Sequence, residues 1–168
     1  MFKISATLDE TYTMIQAHRV LRAIEIWTAV WNTPEFKDRV LSSSFTQTDV
    51  KTGEAVYEAI TALGENAHAM YALDPEDNGS ETARTDTVTG ITTIDVRWLS
   101  PETADLYDLV NTLSHEFTHT PQGGSFTHSA YYSRFVPYLS GRPFSVPYLV
   151  GDITEEIART MFPGELPA

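Results

Sequence analysis

At 168 residues, 42% of them hydrophobic and 11% aromatic, the chain is long enough for one domain with its own core, without help from disulfides or a structural metal. Eleven Lys and Arg against 23 Asp and Glu leave a net charge of -12, which opposes binding to nucleic acid or to anionic membrane surfaces. Cysteine is absent, so thiol catalysis, thiolate ligands and disulfides are excluded, and His, Asp, Glu and water remain as metal donors.

The opening stretch holds no apolar run of signal length, and nowhere do 18 apolar residues follow one another. A soluble protein without signal peptide or membrane span is expected, in a compartment that the sequence leaves open. From Glu10 to Trp31, Val20, Ile24, Trp27 and Trp31 recur at helical spacing, with Leu21 widening the stripe. "NTPEFKDRVLSS" reads as a second helix, capped by Thr33 with Pro34 in its first turn. "SFTQTD" alternates like a short strand. "TGEAVYEAITALGEN" follows as a third helix, with Val56, Ile60 and Leu63 on one side and Gly64 as its stop.

"AMYALD" is expected to be a strand, and residues 75 to 86, rich in turn formers and charge, an exposed loop. "GITTIDVRW" alternates, with Ile94, Val96 and Trp98 on one face and Thr93, Asp95 and Arg97 on the other, as in a half-buried strand. A helix over residues 101 to 120 comes next, with Ser100 as N-cap and Pro101 in its first position, ending near Pro121 and Gly123. A short C-terminal helix is read in "GDITEEIARTMF", where Asp152 and Glu155 have the spacing of a capping box.

The chemistry concentrates in "HEFTH". His115 and His119 stand four apart on a helix, so their side chains leave one face a turn apart and can share a metal ion. Leu106, Val110, Leu113 and Phe117 form the opposite, core-facing stripe, while Asp108, Asn111 and Thr112 accompany the histidines. Glu116 is placed beside such an ion rather than on it, as a general base needs to be. The motif predicts zinc, which lowers the pKa of a bound water so that it attacks a peptide carbonyl at neutral pH.

A third protein ligand is required, and His128 is the first candidate, because Pro121, Gly123 and Gly124 let the chain turn back toward the ion. Glu155 and Glu156 are the rivals. His18 and His68 are read as lying on a helix face and in a loop, without a metal role.

"HEFTH" resembles the zinc helix of the zincin metallopeptidases, and "GITTIDVRW" stands where zincins place the edge strand that pairs with extended substrate. The later "HS" and "FSVPYLVG" look similar to a metzincin arrangement, with a third histidine after a glycine turn and a further turn beneath the metal. "SVPY" here replaces the family's methionine turn, and His128 comes later than in metzincins proper. The resemblance covers residues 90 to 155.

It implies a single-domain α+β zincin-like fold over residues 1 to 168, with a small twisted mixed sheet, backing helices and an active-site helix near 101 to 120. It also implies hydrolysis of peptide or protein substrates with Zn2+ on His115, His119 and His128, and Glu116 as base. Tyr148 matches a tyrosine that touches the metal or the oxyanion in some metzincins. Tyr131, Tyr132 and Tyr138 are nearby and expected to pack. The alternatives are a gluzincin-like peptidase with Glu156 as third ligand, and a zinc-containing binding or structural protein without turnover.

Overall fold

The first strand, β1 (Ile4–Leu8), lies where no strand is expected, and it organises one edge of the sheet. A computed structural model of the chain describes residues 1–45, 52–74, 82–100, 102–127 and 145–164. These form one α+β domain of five α-helices and a four-stranded mixed sheet. After β1 come α1 (Met14–Trp31), α2 (Pro34–Ser42), α3 (Gly53–Thr61), β2 (Ala67–Asp74), β3 (Ala83–Thr85), β4 (Ile91–Asp95), α4 (Leu106–His119) and α5 (Val146–Met161). The strand order is β1-β2-β4-β3, with β1 and β4 parallel to β2 and β3 antiparallel to β4. No helix among the described residues is long and apolar enough to cross a membrane.

Local chemistry explains the helices. Thr13 and Gln16 close a capping box on α1, and Thr33 accepts from the Phe36 N–H at the start of α2, with Pro34 in the first turn where its missing N–H costs nothing. The α1 stripe is buried as expected, except Leu21, which is exposed. Leu63 is exposed as well, because α3 stops at Thr61 and a 3₁₀ turn, Gly64–Asn66, carries the chain into β2. "SFTQTD" lies outside the described residues beyond Phe45, although Ser44 bridges to Thr52.

The core is aromatic where α1, α2 and α4 meet. Phe117 packs edge-on against Trp27 at 5.1 Å and Trp31 at 5.9 Å, while Trp31 stacks on Phe36 at 5.1 Å. Such pairs add roughly 0.5–1.5 kcal/mol each beyond the area that they bury. Trp31 Nε1 donates to Thr154 Oγ1 at 2.9 Å, so α5 joins the same core through a satisfied polar contact. With Leu106, Leu109, Val110 and Leu113 also buried, α4 is held along its length with one face fixed inward.

Several expectations are corrected. The strand at "GITTIDVRW" ends at Asp95, whose carboxylate accepts from Arg97 N–H at 2.9 Å and caps a 3₁₀ turn, Val96–Leu99. β4 is also interior; the edge on that side of the sheet is β3, part of the stretch expected to be a loop. Asp95 is buried and ion-paired with Arg97 at 2.7 Å, which holds its carboxyl below the usual carboxylate range, so Asp95 is not on an exposed strand face.

Helix α4, for its part, starts at Leu106 rather than after Ser100. The backbone at Asp105 is extended, with ψ 172°, and the Ala104 carbonyl accepts from the buried Arg19 at 2.9 Å. The Asp108 N–H turns to Asp105 Oδ1 at 2.8 Å instead, making Asp105 the N-cap. Lastly, "SVPY" is no separate turn: Ser145 is the N-cap position of α5 and Pro147 lies in its first turn. Asp152 and Glu155 are therefore inside α5 and form no capping box.

Candidate metal centre

The last turns of α4 carry His115, Glu116 and His119, all buried, at 8%, 7% and 7% exposure. One nitrogen from each histidine and one carboxylate oxygen lie within 4.8 Å of one another. The imidazole centroids are 5.2 Å apart, as the helical repeat dictates for positions four apart. Phe117, between them in sequence, points to the opposite side and anchors this turn in the aromatic core.

The chain beyond α4 then fixes one imidazole. Gly123 passes so close to α4 that a Cβ there would meet Phe117 O at 1.9 Å, and Gly124 adopts φ 104°, where side chains are strained. These two glycines fold the chain back, so Phe126 N–H donates to Thr118 O at 2.9 Å and Phe126 O meets His119 Nδ1 at 2.5 Å. A carbonyl only accepts, so Nδ1 carries the proton and Nε2 keeps the lone pair that a metal needs. Burial lowers the His119 pKa from its ordinary value, partly opposed by the Phe126 carbonyl, and favours the neutral, ligating form.

Glu116 is oriented from the sheet. Its Oε2 accepts from Thr85 Oγ1 at 2.7 Å, while Oε1 lies 3.9 Å from His115 Nε2. A cleft of about 270 Å³ opens here, lined by Ala83, Arg84, Thr85, Thr87, Glu116, His119 and Thr127. In the β3–β4 ladder, Asp95 N–H donates to Thr82 O and Asp86 N–H to Ile91 O. By antiparallel alternation, Ala83 and Thr85 then turn their N–H and C=O groups away from β4, toward the side of β3 that pairs with no other strand among the described residues.

From the other side, α5 runs antiparallel to α4. Gly151 permits the close approach, since a Cβ there would lie 2.6 Å from Asn111 Oδ1. The first turn of α5 brings the Tyr148 ring to 4.7 Å from that of His115, edge to face. The residues named from the motif thus come together as His115, Glu116 and His119, with Tyr148 against them.

His128, Tyr131, Tyr132 and Tyr138 lie outside the described residues, but Thr127, one position before His128, lines the cleft. Glu156 is exposed and pairs with Arg39 of α2 at 2.5 Å, two turns along α5 from Tyr148, and Glu155 pairs with Asn111 and Arg159. Neither belongs to the group around the histidines. His18 is on α1, whereas His68 is in β2 rather than a loop, 2.8 Å from Ser5 Oγ.

Thr85, Thr92 and Phe126 are absent from the sequence reading of the site. Phe126 contributes a backbone atom, which residue identity does not reveal. For Thr85 a signal existed: Asp86 and Gly90 bracket a tight connection of the kind that joins hairpin strands, and Gly90 has φ 72° with its N–H on Asp86 O at 2.7 Å.

The donor set could hold a metal ion: two buried imidazoles, one held as the Nδ1–H tautomer, and a neighbouring carboxylate. Comparison with protein-family models, curated proteins and solved structures found no match for this chain.

Proposed function

We propose that this chain is a zinc-dependent peptide hydrolase of zincin type, with His115 and His119 as ligands, His128 as the third, and Glu116 as general base. The observation that carries the reading is the buried group of two imidazole nitrogens and a carboxylate oxygen within 4.8 Å, of which Glu116 and His119 line an open cleft. Thr127 in that wall supports His128, and the pairing of Glu156 with Arg39 argues against the gluzincin alternative. Zinc, when bound, lowers the pKa of a water and polarises the scissile carbonyl.

The protein's own part centres on Glu116. Oε1, on the histidine side, accepts the proton of the attacking water as the new C–O bond forms; the same oxygen returns it to the leaving nitrogen as the C–N bond breaks. Tyr148, packed on His115, is the proposed hydroxyl donor to the developing oxyanion. An extended peptide is the substrate that fits, because β3 turns main-chain groups of Ala83 and Thr85 outward beside Glu116. β3 thus takes the role that the family resemblance gave to "GITTIDVRW". The net charge of -12 likewise favours peptides over polyanions.

The test pairs metal analysis with cleavage of an unstructured protein by wild type and Glu116→Gln. Stoichiometric zinc is expected in both, with cleavage about 10²–10⁴-fold slower in the variant. Zinc with no cleavage, or with equal cleavage in both, would establish the binding or structural alternative instead.

A further inference from the structure

The two oxygens of Glu116 have different neighbours. Oε1 is on the His115 side, whereas Oε2 lies 2.7 Å from Thr85 Oγ1. That same hydroxyl is 2.8 Å from Thr92 Oγ1 and 3.2 Å from Glu116 O. A threonine hydroxyl has one proton to donate. The carboxylate oxygen is the nearest acceptor and the charged one, so the Thr85 proton goes to Oε2. The short contact with Thr92 is then made in the other sense, with Thr92 donating to Thr85.

The sheet sets this order. Thr85 and Thr92 are cross-strand partners in the β3–β4 register. They form a pair that exchanges no main-chain hydrogen bonds, since the flanking positions make them, and side chains approach most closely at such pairs. Thr92 is buried, so its hydroxyl is kept from water and directed to its partner across the ladder.

We propose that Thr85, supported by Thr92, is a positioning residue for Glu116, fixing Oε2 so that Oε1 is the oxygen that takes and returns the proton. The inference rests on the reading of Glu116 as general base and deepens it. A carboxylate bonded at one oxygen is not free to turn about its last torsion, so less orientation has to be gained on the way to the transition state. The effect therefore falls on kcat and not on KM. It also ties the base to the cleft wall, because Thr85 belongs to the strand along which the peptide is proposed to lie.

Two substitutions at one position provide the test. Thr85→Val removes the hydroxyl and keeps the β-branched shape, while Thr85→Ser keeps the hydroxyl. With zinc-loaded protein and an unstructured protein substrate, Thr85→Val is expected to lower kcat about 10–100-fold at unchanged KM and zinc content. Thr85→Ser is expected to retain most of the wild-type rate. A wild-type kcat in Thr85→Val, or equal losses in both variants, overturns the proposal.

Crystal structures of metal-free wild type and Thr85→Val supply a readout apart from activity. The Glu116 carboxylate should turn away from position 85 in the variant, and an unchanged carboxylate overturns the anchoring. If wild type cleaves no peptide, it is the hydrolase reading that fails, and this structural comparison still decides whether Thr85 holds Glu116.

Discussion

Helix α4 carries two polar stretches that are held in different ways. Near its N-terminus, Asp105 and Asp108 face Arg159 of α5 at 2.9 Å and 3.4 Å, and Arg159 also reaches Glu155 at 2.8 Å. Asn111 joins this seam by donating to Asp152 at 3.1 Å and Glu155 at 2.8 Å. Carboxylates there meet a cation and an amide at a partly exposed helix interface. At the C-terminal turn, His115, Glu116 and His119 are buried, and among the described residues a backbone carbonyl orients His119 and a hydroxyl orients Glu116. Opposite charge closes the seam between helices, whereas neutral partners that fix tautomer and rotamer suit a group that receives a cation.

The sharpest way to break this contrast is His119→Ala. Zinc affinity should fall more than about 100-fold, since even outer partners of metal ligands cost about 10–100-fold. Titration with zinc against a competing chelator measures it, and wild-type affinity in the variant would place the metal elsewhere.

A smaller effect is expected where the two stretches are coupled. Gly151→Val puts a Cβ 2.6 Å from Asn111 Oδ1 and 3.2 Å from the Asn111 backbone oxygen, and overpacking of this kind costs about 1–3 kcal/mol. Denaturant unfolding measures that loss. Because Gly151 stands one helical turn from Tyr148, the Tyr148 ring should also shift from His115, visible in a crystal structure of the variant.

The smallest effect belongs to the seam itself. Arg159→Met removes the cation but keeps an unbranched apolar side chain, and a half-exposed ion pair is worth about 0–1 kcal/mol. Thermal unfolding should show a small loss with zinc affinity unchanged; a fall in zinc affinity would show that the seam and the histidine turn are not independent.

How much of this the chain discloses varies by element. The α4 stripe, the α1 stripe apart from Leu21, and the N-cap of α2 are readable because each rests on residues within a few positions of one another. The start of α4 departs from the expected one where Asp105 is extended and the Ala104 carbonyl accepts from Arg19, 85 residues away, a contact that local spacing does not show. β3 is not legible in the sequence because three residues carry too little alternation to distinguish a strand from a loop. "SVPY" reads as a turn because Pro in a first helical turn and Pro in a loop look alike in sequence, whereas Leu149 N–H donates to Ser145 O in the fold.

What the sequence determined by itself is that His115 and His119 share one face of a helix opposite Phe117, with Glu116 beside them; the 3.6-residue repeat requires it once the apolar stripe faces the core. The tertiary structure decided which nitrogen of His119 bears the proton and which oxygen of Glu116 faces the histidines. Those choices are made by Phe126 O and Thr85 Oγ1, and the positions of both depend on how the glycine turn and β3 pack against α4, which spacing along the chain does not encode.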